Sequence, residues 1–406
     1  MLGGGPGGLA AARAAAEDGA SVTLAERENR LGGILKQCIH DGFGLVRYKE
    51  RLTGPEYALR EIKRLEGLTL TVMLETFLLS LEQAGDEFQL VLQNPQEGAF
   101  TLRCKALVAA TGCRERTGRQ IFIHGPRPAG VYTAGTAQRL INIDGLMPGK
   151  RAVILGSGDI GLIMARRLVL EGAQVAGVYE IKAEPSGLAR NVAQCLEDFQ
   201  IPLHLSTTVT RVHGENRVEG VTVAQVDQNL RPIPGSESFV PCDSLILSVG
   251  LIPENDCLDA LAPRLDPATG GPLVDERLQT TVPGLFSCGN ALHVSDLADY
   301  VSESGELAGK AAAAYARDAL AKGGAQEVAT QGQLLYFVPQ MTRGQPGEGV
   351  FWFRSRVSLE DAVLTVEEDG ETIFRKRYPH LRPPEMERIS LNLSGKPLKV
   401  KLEGVK

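Results

Sequence analysis

The residues in this chain best suited to chemistry are two sets of glycines and two glutamates. Gly3, Gly5 and Gly8 stand in a G-x-G-x-x-G spacing, and Gly156, Gly158 and Gly161 repeat it. In a strand-to-helix turn, the first glycine of such a loop permits the tight bend. The second, lacking Cβ, lets a pyrophosphate approach the backbone, and the third lets the helix pack on the strand. The helix then offers unpaired N–H groups and a positive dipole end to the phosphate. An apolar strand follows each loop and ends in a carboxylate, "SVTLAE" at Glu26 and "QVAGVYE" at Glu180. A carboxylate there accepts hydrogen bonds from ribose hydroxyls and repels a 2′-phosphate, which favours NAD over NADP at the second loop. Lys182 and Arg190, close by in sequence, complicate that preference.

The two loops belong to an internal repeat. Residues 2–22 laid over 155–175 match at Leu2, Gly3, Gly5, Gly8, Leu9, Ala12, Arg13, Gly19, Ala20 and Val22. Each copy reads as loop, alanine- or leucine-rich helix, "GA" turn and apolar strand, the context that turns a weak motif into two Rossmann-type units. The repeat puts Tyr179 rather than Glu180 opposite Glu26, so the turn of the second copy is expected to be one residue longer. Only Met1 and Leu2 precede Gly3. The central strand of a doubly wound sheet is therefore expected to be missing, and the natural chain to start upstream.

The remaining elements must position these loops. Residues 54–66 read as a helix, "FQLVLQ" and "FTLRCKALVAATG" as strands, and the apolar runs "SLILSVG" and "GLFSCGN" as buried strands ending in glycine. Residues 296–322 read as one long helix with small residues on a face, closed by "GGAQ". From about 333 the texture changes to short alternating runs, from "LLYFV" to "LKVKLE", the pattern of an all-β module standing as a domain of its own. At 406 residues with 43% hydrophobic and 23% charged, the chain has the composition of an ordinary soluble protein of two or three domains. Acidic residues outnumber basic ones 49 to 43, which offers no footprint for nucleic acid. No apolar run approaches the roughly 18 residues a membrane span needs. The N-terminus lacks the basic region of a signal peptide. The seven cysteines include no C-x-x-C, so reduced thiols and a cytoplasmic location are expected, and no metal site is expected.

In their order, these motifs resemble the pyridine nucleotide-disulfide oxidoreductases, flavoproteins with two dinucleotide domains. The resemblance runs over residues 1–322. "GGGPGGLAAA" with Glu26 is similar to the FAD site and "LGG" at 31–33 to the segment along the FAD. "VAATGCRER" at 108–116 is similar to the strand that leaves the FAD domain, "VILGSGDIG" to the NAD(P)H loop, "LSVGLIPEN" to the return crossing, and "TTVPGLFSCGNAL" to the second FAD motif. The implied fold is α/β, with two Rossmann-like domains and a small C-terminal all-β module. The FAD domain, 1–116 and 254–322, is split by an NAD(P) domain at 117–253, and the module occupies 333–406. The resemblance implies FAD contacts at Gly3, Gly5, Pro6, Gly8, Glu26, Arg27, Gly33, Ile34, Thr111, Gly112, Gly289, Asn290 and Val301. It implies nicotinamide nucleotide contacts at Gly156, Gly158, Asp159, Ile160, Gly161, Glu180 and Gly250.

The reaction is less closely specified. Where the thioredoxin reductase branch carries C-x-x-C, this chain has Ala134 and Ala137; where the glutathione reductase branch carries a cysteine pair, it has Cys38 alone. Exchange through an internal dithiol is excluded on that comparison. "RLGGILKQCIHDGFGL", "RPAGVYTAGTAQRLIN" and "CGNALHVSDLADYVSE" resemble the FAD/NAD-binding subunits of hydrogen cyanide synthase, opine oxidase and sarcosine oxidase. That implies hydride transfer between nicotinamide and flavin, a partner protein or small molecule exchanging electrons, and an oligomer or heteromeric complex. Asn290 stands where the family usually has an aspartate holding the ribityl chain, and a helix starting around Tyr300–Ser302 would aim its dipole at the flavin. Cys38 and His40 allow an alternative, an NADH oxidase or peroxidase working through a Cys38 thiolate and sulfenic acid. The plainer reading of Cys38 is a half-buried residue of a flavin-lining loop, with Cys113 and Cys288 packing residues. A third reading is a non-redox flavin-binding scaffold. His293 either lines a substrate route or satisfies local backbone, and "RKRYPHLR" either docks an acidic partner or protects a sheet edge.

Overall fold

The computed structural model describes residues 1–320 and 324–405. Its α-helices are α1 (Pro6–Glu17), α2 (Gly54–Lys63), α3 (Ala134–Asn142), α4 (Asp159–Leu170), α5 (Ala189–Val192) and α6 (Ala298–Ala316). The chain divides into two compact units, Met1–Cys113 with Pro253–Lys406, and Arg114–Ile252.

The first unit is built on a parallel sheet. Strand Val22–Ala25 pairs with Leu70–Met73 on one side, and strand Leu107–Ala109 pairs with Leu285–Ser287. Leu2 lies between these pairs, bridged in parallel to both Ala25 and Ala109. No full strand stands at the centre, but Leu2 takes part of its place: Leu2 N donates to Val108 O at 2.9 Å, and Ala110 N donates to Leu2 O at 2.9 Å. Met1, Leu2 and Gly3 together make the hydrogen bonds that tie the halves of the sheet together, Met1 and Gly3 to Ala25 and Leu2 to Val108 and Ala110. Because backbone pairing does not depend on side-chain pattern, so short a segment carries no periodicity to read.

Helix α1 packs on α6 through small residues. A Cβ on Gly305 would stand 2.2 Å from Gly7 O, and one on Gly309 would stand 2.2 Å from Ala11 O. Only glycines allow backbones this close. Helix α6 starts at Ala298 rather than at 296, because the Asp296 carboxylate binds Arg354 and Met386 N instead of capping the helix. The last two residues of the expected helix, and the first of "GGAQ", lie outside the described residues. Helix α2 ends at Lys63 and begins with a capping box between Thr53 and Glu56.

The C-terminal strands form a four-stranded and a three-stranded sheet over an apolar core of their own that includes Phe351, Phe353, Leu364 and Val400, and Gln326–Glu327 pairs with Met341–Thr342 as a further two-stranded sheet. The module does not pack as a separate body. Tyr336, Val338, Val350, Trp352 and Met386 share a second core with Ala11, Val108, Phe286 and Cys288. The alternating pattern shows that one face is buried and is silent about what covers it.

The second unit holds a five-stranded parallel sheet in the order Val131–Thr133, Ser244–Leu247, Arg151–Leu155, Gln174–Tyr179, Leu203–His204. A three-stranded antiparallel sheet of Thr207–His213, Gly220–Gln225 and Ser238–Pro241 accompanies it. Between Arg151–Leu155 and Gln174–Tyr179 the register slips by one residue, from Ala152 opposite Val175 to Val153 opposite Gly177. The extra residue of the second repeat thus sits in a bulge at Ala176, not in a longer turn.

Candidate dinucleotide sites

Both glycine loops are built the same way. Gly3 turns with φ +99°, and a Cβ there would meet Ala110 O at 2.4 Å; Gly156 turns with φ +95°, against Ser248 O at 2.0 Å. A Cβ on Gly8 would stand 1.8 Å from Gly3 O, and one on Gly161 would stand 2.7 Å from Gly156 O. Gly3 N donates to Ala25 O at 2.9 Å, and Gly156 N to Tyr179 O at 2.7 Å, so each loop hangs from the strand that carries its glutamate. The middle glycines differ from these crowded ones. Nothing comes nearer to a Cβ on Gly5 than Gly33 Cα at 3.8 Å, or to one on Gly158 than Ser248 Oγ at 3.6 Å. These are the places where a phosphate can reach backbone.

Glu26 and Glu180 are both buried. Glu26 accepts from Gly4 N at 2.6 Å and Glu28 N at 2.8 Å. Glu180 accepts from Ser157 N at 2.9 Å, Ser157 Oγ at 2.6 Å and Lys182 N at 3.1 Å. The bulge therefore restores to Glu180 the place that alignment by repeat gave to Tyr179. Each carboxylate holds the loop in shape and keeps lone pairs for a ribose hydroxyl.

Around the first loop, Pro6 opens α1 behind Gly5. Gly32 N donates to Gly4 O at 2.8 Å, and a Cβ on Gly33 would stand 2.8 Å from Gly5 Cα. Residues 31–34 thus run along the loop, with Ile34 exposed; Arg27 is exposed as well. Thr111 Oγ1 donates to Glu254 O at 2.6 Å, and Glu254 N donates to Gly112 O at 2.9 Å. Gly289 N donates to Ser304 Oγ at 2.9 Å, and Val301 Cγ1 lies 2.8 Å from where a Gly289 Cβ would be. Asn290 Oδ1 accepts from Ser295 N at 3.0 Å, while its Nδ2 faces Cys113 Sγ at 3.5 Å. A backbone N–H on one side thus fixes the carboxamide, with the donor end turned the other way.

Around the second loop, Asp159 turns its carboxylate to Leu188 N at 2.9 Å and Asn191 Nδ2 at 2.7 Å, organising residues 186–191. Ile160 packs on the core beneath α4. Gly250 turns with φ +103°, and its carbonyl accepts from Arg116 N at 3.0 Å.

The cysteine and histidine candidates are placed differently from a reactive pair. Cys38 caps the 3-10 turn Gly33–Gln37, and its Sγ donates to Ile34 O at 3.4 Å. Burial pushes its thiol up to about 12, away from thiolate. The His40 ring lies 5.2 Å from that of Phe43. Cys288 is buried, and its thiol is likewise pushed up to about 12 by desolvation. His293 is buried against Tyr336 and Trp352; desolvation, and then the nearby Arg354 charge, push it down to about 3, so it is neutral. Ala134 and Ala137 are fully buried core residues of α3.

Sequence reasoning missed Ser157, Ser248 and Arg354. Ser157 stands opposite Gly4 in the repeat, which was the signal available for it. Ser248 plays for the second loop the part of Ala110 in the first. Arg354 lies in the β module and carries no motif.

A family model described as pyridine nucleotide-disulphide oxidoreductase matches residues 1–321. The chain belongs to this family. Its members are FAD- and NAD(P)-dependent oxidoreductases, and membership implies sites for both nucleotides. The chain is 29% identical over 272 residues to the HcnB subunit of hydrogen cyanide synthase from Pseudomonas protegens, covering 62% of this chain and 56% of that one. It is 25% identical to an opine oxidase subunit from Agrobacterium tumefaciens, covering 77% and 65%. It thus spans little more than half the length of the first of these relatives. The thioredoxin reductase of Lactococcus lactis has the same fold over 78% of this chain and 98% of its own, with 19% identity and a TM-score of 0.63. Among the described residues no helix is long and apolar enough to cross a membrane.

Proposed function

We propose that this protein transfers hydride between a nicotinamide nucleotide held by the Gly156–Gly161 loop and FAD held by the Gly3–Gly8 loop. Electrons then pass to or from a partner protein or small acceptor without an internal disulfide. The observation that carries the reading is the pair of loops, each with an open middle glycine and each locked by a buried carboxylate. FAD supplies the hydride and electron chemistry when bound. The chain's part is to hold the pyrophosphate at Gly5 and the start of α1, the ribose at Glu26, and the ribityl chain at Asn290. At the second loop Glu180 engages the nicotinamide nucleotide's ribose and disfavours a 2′-phosphate, which supports NADH over NADPH.

A partner is supported by relatives that are named as subunits, of hydrogen cyanide synthase and opine oxidase. A peroxidase working through Cys38 is disfavoured, because its thiol is held protonated. The deciding test is an anaerobic titration with NADH while the flavin band is followed. Bleaching at about one NADH per FAD is expected. A bound flavin that stays oxidised would overturn the hydride reading.

A further inference from the structure

The C-terminal β module reaches the first dinucleotide site through two arginines. Arg354, on strand Gly347–Ser355, is largely buried and uses its whole guanidinium fork. Nε donates to Tyr336 Oη at 2.8 Å, and Nη1 to the carbonyls of Pro383 and Pro384. Nη2 donates to Val294 O at 3.2 Å and to the Asp296 carboxylate. The second Asp296 oxygen accepts from Met386 N at 2.6 Å. On the neighbouring strand Glu387–Leu393, Arg388 grips Glu303 of α6, with Nε at 3.0 and 2.8 Å from the two carboxylate oxygens and Nη2 at 2.6 Å.

Asp296 and Glu303 flank the first turn of α6. Between Asn290 and that turn lies Ser295, whose N–H fixes the Asn290 carboxamide. The module's grip thus runs from Arg354 through residues 294–296 to Asn290, and from Arg388 to the helix start behind Val301. The apolar contacts of Tyr336, Val338, Val350, Trp352 and Met386 dock the module on the first unit's core. Arg354 does something further: three of its five directed hydrogen bonds brace it on the module's own Tyr336, Pro383 and Pro384, and the other two, to Val294 O and Asp296, hold a loop that has no secondary structure of its own.

We infer that Arg354 is a positioning residue for FAD, acting through residues 294–296 on Asn290 and on the start of α6. The inference rests on the reading of the first loop as the FAD site.

The test uses the full chain. Arg354→Met removes the fork at similar length, Arg354→Lys keeps the charge without the fork, and Arg377→Met removes an exposed ion pair to Asp361 in the same module as a control. Three quantities are measured: FAD affinity, the visible absorption of bound flavin, and amide hydrogen exchange over residues 293–302. Arg354→Met is expected to weaken FAD binding roughly tenfold or more. It should also move the flavin band toward that of free FAD and speed exchange at Ser295. Arg354→Lys should rescue these only in part, since an ammonium cannot span the same acceptors, and Arg377→Met should match wild type. If Arg354→Met does not fold, Asp296→Asn carries the same test. A folded variant whose FAD affinity and flavin band are unchanged overturns the inference, even if exchange quickens. Wild-type protein that holds no FAD overturns the functional reading, and this inference with it.

Discussion

The two glycine loops share one design and differ in what stands behind them. The second is supported within its own unit, by the five-residue strand Arg151–Leu155 and by Ser248 on the neighbouring chain segment. The first hangs from Met1 and Leu2, leans on Ala110, and has α1 pressed against Gly305 and Gly309 of α6. Its surroundings are gathered from the beginning, middle and end of the chain, and the β module holds the last of them. The same loop chemistry can therefore be locally or globally supported, and the global version is the more exposed to damage far away in sequence.

The sharpest way to break that comparison is at the third glycines. In Gly8→Ala the new methyl would meet the Gly3 carbonyl at 1.8 Å, with the Ala110 methyl at 3.3 Å. Overpacking there should cost roughly 3 kcal/mol or more, with FAD lost on purification; thermal unfolding and flavin content check it. In Gly161→Ala the methyl would meet Gly156 O at 2.7 Å and the movable Ser248 side chain, so a smaller loss is expected. Equal losses would remove the distinction.

The two glutamates separate the sites by function. A glutamine at either position turns one donor toward backbone N–H groups that now find an oxygen. Glu26→Gln is expected to weaken FAD binding about 10- to 100-fold, and Glu180→Gln to raise KM for NADH by a similar factor with FAD content unchanged. Flavin titration and steady-state kinetics distinguish the two outcomes.

A third test sharpens the global character of the first site through pH. His293, buried where the module meets the FAD-side core, is held down to about 3 from an ordinary 6.5. Below 6.5 the unfolded chain takes up a proton that the folded chain refuses. Its contribution is thus full above 6.5 and falls by about 1.4 kcal/mol per pH unit as the pH drops toward 3. His293→Phe should flatten that acid limb in denaturant melts between pH 6.5 and 4, and an unchanged limb would remove His293 as its source. The smallest effect is expected at Cys38: with its thiol up to about 12, Cys38→Ser should leave NADH-dependent flavin reduction within about twofold. A collapse of turnover would restore the peroxidase alternative.

Much of the candidate site can be read from residue types alone. Gly3, Gly8, Gly156 and Gly161 meet backbone where their spacing said they must, and Glu26 ends its strand as a buried carboxylate. Local geometry dictates those residue types, and so they show in sequence. Glu180 was legible in kind but not in alignment, because a bulge at Ala176 shifts the strand without leaving a mark in residue type. The bridging role of Leu2 went unread because two residues have no period. Arg354 was invisible: an arginine on an alternating strand looks the same whether it faces water or the loop before α6.

Residue order alone was enough to specify the two Rossmann-type units, the loops and the identity of their glycines. These follow from short-range sterics and burial period. Packing in three dimensions was needed to show the burial that pushes the Cys38 thiol up and the His293 imidazole down, and that the β module shares a core with the first unit. Desolvation and hydrogen-bond partners depend on residues brought from elsewhere in the chain, and no local pattern encodes them.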